Sequence, residues 1–205
     1  MLDVLHLPTT QLFALLAAVG FAAGLNVYAT VGVLGLLARF GHMPLPPGLD
    51  VLAHWPVIAA SAALFVVEFF ADKIPAFDLV WSALHTFVRV PAAALIGYRA
   101  ASQLSPEHQL LAALVGGAVA FAAHGGKTAV RAAVTPSPEP VSNIALSLGE
   151  DAMAIGLTWL ATRHPYMAGV IAVIGVIVVV VLARLVVKAL RSLFHGAERE
   201  LAQAA

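Results

Sequence analysis

The stretch VEFFADKIPAFDLVWSALHTFVRVP, residues 67–91, decides how this chain is read. It continues an apolar run, yet between 68 and 89 it carries Glu68, Asp72, Lys73, Asp78, His85 and Arg89. Pro75 and Pro91 bracket a segment whose polar positions, Asp78, Ser82, His85, Thr86 and Arg89, recur at helical steps and so share one face. Phe77, Val80, Trp81, Leu84 and Val88 cover the rest. Two readings follow: a helix lying in the headgroups, or one span over 76–103 that is kinked or broken at Pro91. The second is preferred, because AAALIGYRAASQL after Pro91 is too short to cross a bilayer alone.

Outward from this stretch the chain reads as lipid-soluble. Its 205 residues are 61% hydrophobic and 11% charged, where soluble domains carry about 25% charged residues. The formal net charge of zero argues against nucleic acid as a partner. The absence of cysteine excludes disulfides, thiolate metal sites and cysteine nucleophiles. Spans need about 20 mostly apolar residues. Six are expected, at 11–38, 51–71, 76–103, 109–130, 141–162 and 165–188, within a single membrane domain over 1–205 that ends in a polar tail, 192–205. The first ten residues have no basic residue and the first apolar run is long, which argues against a cleaved signal. The fold class expected is an all-α integral membrane protein.

With both termini inside, the inner ends hold Lys73, Arg89, Lys127, Arg131, Arg184, Lys188, Arg191 and Arg199. The outer ends hold Arg39 and Arg163, with Arg99 counting against the scheme. The lysine and arginine bias therefore predicts a multi-pass protein with both termini cytoplasmic. AVGFAAGLNVYAT at 18–30 also echoes AVAFAAHGGKTAV at 118–130, and Pro56-Val57 leading to Glu68 echoes Pro140-Val141 leading to Glu150. Two three-span repeats, 11–103 and 109–191, are read from this. Three being odd, the copies would be inverted, a plan common in transporters.

Glu150 and Asp151 fall mid-span in ALSLGEDAMAIGL. A charge at a helix centre costs roughly 2.5–3.5 kcal/mol, so each needs a partner, a wet cavity or a proton. Adjacent positions diverge by about 100° and cannot both face one small ion. Glu68 and Asp72, four apart, share a face and offer oxygens to a hard cation, or a shared proton. The structural alternative pairs these acids with Lys73, Lys127, Arg131 or Arg89. His85 on the polar face and His124 beside Lys127 are candidate proton relays or metal ligands. Gly125-Gly126 is a candidate break in the fourth helix, with close packing as the alternative. Gly20 and Gly24 read as a packing motif, and TPSPEPVSN at 135–143 as a rigid connector.

GLNVY (24–28), EFFADKIPAFDLVWSALHTFVR (68–89), HGGKTAVR (124–131), SPEPVSN (137–143) and the Glu150-Asp151 pair resemble the bacterial membrane family catalogued as domain of unknown function 4126. That resemblance implies that the polar strings are a family pattern, and it assigns no activity. EFFADK is more loosely similar to a motif of small cation/proton exchangers built from two inverted three-helix repeats.

The expected function is transport of a small cation, coupled to protons, with Glu68, Asp72, Glu150, Asp151, His85 and His124 at the ion site. Lys73, Arg89, Lys127 and Arg131 are their charge partners. A divalent ion such as Ca²⁺ or Mn²⁺ is the example considered, and no other cofactor is expected. The lipid bilayer and a small cation or other solute are the expected partners, with a homo-oligomer left open. The alternatives are a lipid-handling or scaffold protein with structural charge pairs, and a membrane enzyme using His85 or His124 with a carboxylate; no nucleophile or metal motif supports the enzyme. Glu68→Gln and Glu150→Gln are expected to spare the fold.

Overall fold

The computed structural model describes residues 8–41, 45–134 and 140–204, without the side chains of 75–79, 132–134, 140–143, 186–187 and 189–204. The Asp78 side chain and Glu139 therefore lie outside the described residues, as does most of the 135–143 connector. The described residues form α1 (Thr9–Leu25), α2 (Val27–Arg39), a 3-10 turn (Pro47–Ala53), α3 (Trp55–Ala71), α4 (Pro75–Ala100), α5 (Pro106–Val134), α6 (Pro140–Arg163) and α7 (Pro165–Ala204), with no strand.

Four helices hold apolar segments long enough to cross a membrane: Val80–Ala100, Pro106–Arg131, Ile144–Arg163 and Pro165–Leu185. The 3-10 turn and α3, bent by 66°, make a fifth when counted together. The first expected span, 11–38, is two shorter helices of 17 and 13 residues meeting at Asn26. The count of six is thus reached only if α1 and α2 form one broken crossing. The expected 192–205 tail is a helical continuation of α7 as far as Ala204.

The breaks fall where composition does not announce them. α4 runs through Pro91 and α5 through Gly125 and Gly126. A proline deletes one rung of a helix. In lipid, the cost of any unpaired backbone group keeps the flanking turns helical. Gly126 serves packing instead, since a Cβ there would collide with Val179.

α1 is the central post, packed by α5, α7, α6 and α4. Its residues from Ala18 to Leu25 are all buried. Small residues set the spacing: a Cβ on Gly20 would lie 2.8 Å from the Gly116 carbonyl, and one on Gly24 2.7 Å from the Ala123 methyl. Helices in lipid associate through such close contact, because the bilayer is as apolar as the side chains and supplies no hydrophobic drive.

α4 is inside-out by the standard of a soluble protein. Ser82, His85 and Arg89 are buried, while Val80, Leu84 and Val88 are exposed and Phe87 is 81% exposed. The polar face expected from the spacing therefore points into the bundle and not at headgroups. This is the arrangement a polar stripe needs when the solvent is lipid.

Candidate functional site

The site is built around the gap between α1 and α2. Ending α1 at Leu25 frees its last carbonyls and begins α2 with unpaired N–H groups. Asn26 resolves much of this. Its backbone N–H donates to the Ala22 carbonyl, and its side-chain oxygen accepts from the Ala29 N–H, capping α2. Arg89 donates to the Gly24 carbonyl at 3.3 Å, and Lys127 to the Leu25 carbonyl at 3.3 Å. The Asn26 amide nitrogen donates to Asp151 Oδ1 at 2.8 Å. Cations thus stand at the negative end of α1 and a carboxylate at the positive end of α2, as the helix dipoles favour.

Four helices supply the charges. α3 brings Glu68 and Asp72 at its C-terminal end; α4 brings Arg89. α5 brings His124, Lys127 and Arg131, which share one face at steps of three and four. α6 brings Glu150 and Asp151. Glu68 pairs with Arg89, both with fully buried side chains. Lys127 Nζ lies 2.9 Å from Asp72 Oδ2, 3.1 Å from Glu150 Oε2 and 3.9 Å from Glu68 Oε1. Arg131 reaches Asp72 Oδ2 at 3.1 Å and Glu150 Oε2 at 2.5 Å, and donates to the Asp72 carbonyl. Glu68 and Glu150 therefore do converge, and their meeting point is Lys127.

Asp151 is the exception. It is buried, one oxygen is held by Asn26, and Oδ2 has no hydrogen-bond partner among the described residues. No basic side chain among them lies within ion-pair distance of it. In this set Glu68, Asp72, Glu150 and Asp151 stand against Arg89, Lys127 and Arg131, so the acids are in excess by one. Lys73, expected as a partner, donates instead to the Phe69 carbonyl at 2.7 Å and lies over the Phe69 ring.

Both histidines are committed on both ring nitrogens. Arg89 Nη1 can only donate, so His124 Nδ1 accepts from it at 2.9 Å. His124 Nε2 must then carry the hydrogen, facing the Ser82 carbonyl at 3.0 Å and the Thr86 hydroxyl at 2.8 Å. His85 Nδ1 donates to the Trp81 carbonyl at 2.8 Å, leaving Nε2 to accept from the Tyr28 hydroxyl at 3.0 Å. His85 can gain a proton without breaking a bond, since the Tyr28 oxygen can also accept; His124 cannot. Among the described residues no group of three or more His, Asp or Glu side chains is placed to hold a metal ion.

The expected acids and bases other than Lys73 are brought together, with His124 joined to them through Arg89. His85 stands apart, bonded to the Tyr28 hydroxyl and the Trp81 carbonyl and to no member of that network among the described residues. Reading by residue type missed Asn26, Tyr28 and the two α1 carbonyls. The available signal was Asn26 itself, a strong capping residue in a run without charge.

Fold and site together define a multi-pass α-helical membrane protein with a buried charge network at a helix break. The chain belongs to the family described as domain of unknown function (DUF4126), whose model matches residues 13–185. No curated protein and no solved structure matches it.

Proposed function

We propose that this protein is a proton-coupled transporter of a small cation in a bacterial inner membrane, with both termini cytoplasmic. The observation that carries the reading is Asp151. A carboxylate in the membrane interior with no basic partner, as Asp151 is among the described residues, is too costly to persist charged. It must hold a proton, or give that proton up when a cation arrives. Its position at the break between two half-helices is the setting in which transporters commonly bind ions. α1 and α2 then form one broken crossing, the sixth. Exchanging α1 for α5 and α4 for α7 maps the α4·α5 contact onto α1·α7 and the α1·α4 contact onto α5·α7. The correspondence is confined to these pairs, since the α1·α6 packing has no counterpart between α5 and α3.

A second reading has its own observation. Glu68, Asp72 and Glu150 are each closed by a basic partner, as in a structural clamp that fixes helix register. Proteoliposomes separate the two. Under a pH gradient, the wild type should move protons only when a transportable cation is present. Asp151→Asn should remain folded and lose that coupling. A wild type that moves neither protons nor any cation of a broad panel leaves the clamp as the correct reading.

A further inference from the structure

We infer that the Lys127 ammonium is a tethered stand-in for the transported ion, and that the pocket holding it is a site for a dehydrated monovalent cation. This rests on the transport reading and names its substrate class. The ammonium is surrounded by oxygens from three other helices: Asp72 Oδ2 at 2.9 Å, Glu150 Oε2 at 3.1 Å, the Leu25 carbonyl at 3.3 Å and Glu68 Oε1 at 3.9 Å. A lysine ammonium is a compact point charge on a flexible stem, close in size to the larger alkali cations.

The oxygens do not depend on Lys127 for their positions. Arg131 holds Asp72 and both oxygens of Glu150. Arg89 holds Glu68 and is itself fixed by His124 and the Gly24 carbonyl. The Leu25 carbonyl is fixed by the helix break. The cradle therefore survives if the ammonium leaves, and Lys127 is the one cation in it on an unbranched, rotatable chain.

Charge balance selects the occupant. With Lys127 gone, and counting the described side chains, Glu68, Asp72 and Glu150 face Arg89 and Arg131, which leaves one negative charge. A monovalent ion neutralises this pocket and a divalent ion overfills it. Asp151 follows Glu150, a carboxylate that the ammonium already touches at 3.1 Å. As the ion enters, the ammonium turns to Asp151, and the Asp151 proton leaves to water. One cation in and one proton out keeps the buried charge constant.

The test uses purified full-length protein in nanodiscs and needs no transport. The Tm of Lys127→Ala is followed in Li⁺, Na⁺, K⁺ and Rb⁺ chloride against choline chloride at equal ionic strength. A saturable rise with at least one alkali ion, absent with choline and with Ca²⁺ or Mn²⁺, is expected. The rise should vanish in Lys127→Ala/Glu150→Gln, whose pocket is already neutral. A folded Lys127→Ala variant indifferent to every alkali ion overturns the inference. The wild type gives a second reading that does not depend on the variant folding. Labelling of Lys127 by a small amine-reactive reagent, read by mass spectrometry, should increase severalfold in the favoured alkali ion as the ammonium is displaced. Labelling unchanged across the panel overturns the inference as well. Binding without transport would sink only the transporter reading; transport without binding would sink only this assignment.

Discussion

Arg89 is the residue whose loss is predicted to cost most. Its guanidinium bonds Glu68, His124 and the end of α1, with no exposure of its own. Removing one partner of a buried pair typically costs about 3–5 kcal/mol, because the other charge is left behind. Arg89→Met should therefore destabilise on that scale in detergent unfolding, and the doubly substituted Glu68→Met/Arg89→Met should recover much of the loss. The same physics corrects the expectation that Glu68→Gln and Glu150→Gln spare the fold. Each neutralises a carboxylate that a buried arginine needs, so both should lower stability. Asp151→Asn replaces a carboxyl with no basic partner among the described residues, so it strands no arginine or lysine, and its Tm should be unchanged or raised. A Tm drop for Asp151→Asn as large as that for Glu68→Gln would mean that Asp151 is ion-paired after all.

Among the elements, the break at Asn26 decides how the charged groups meet. Asn26→Ala removes a helix cap, worth about 1 kcal/mol, and a hydrogen bond to a charged group, worth about 1.5–3 kcal/mol. Gly24→Ala forces a methyl against Ala120 and Ala123 of α5, an overpacking of typically about 1–3 kcal/mol. Both should destabilise, but only Asn26→Ala should also disturb proton coupling, measured as cation-driven pH change in proteoliposomes. The α4 stripe and the mid-span acids were legible in the sequence, because helical spacing and the rarity of charge in lipid are local signals. The break was not. Residues 11–38 are uniformly uncharged, and what stabilises their interruption is Asp151, 125 positions away. Pro91 and Gly125-Gly126 are breakers by propensity, yet α4 and α5 stay helical through them, as the single span over 76–103 and the packing alternative at the glycine pair expected. Lys73 was assigned by its neighbours in sequence, whereas its stem follows α3 back to Phe69.

For the whole molecule, the network changes how orientation is argued. Arg89, Lys127 and Arg131 are buried ion-pair partners and no longer count as loop charges. Lys73, Arg184, Lys188, Arg191 and Arg199 then stand against Arg39, Arg99 and Arg163, a smaller bias of the same sign. α7 carries much of it: at about 1.5 Å per residue, its 40 residues extend well past a hydrocarbon core of about 30 Å. A reporter fused after Ala205 is predicted to read as cytoplasmic. Proton coupling rests on the excess carboxylate. Infrared difference spectroscopy on the wild type in nanodiscs, with and without alkali cation, reads it directly. A protonated-carboxyl band should disappear when the cation binds, and Asp151→Asn should lack both the band and its loss. A band that no cation alters, or one that persists in Asp151→Asn, would contradict the account.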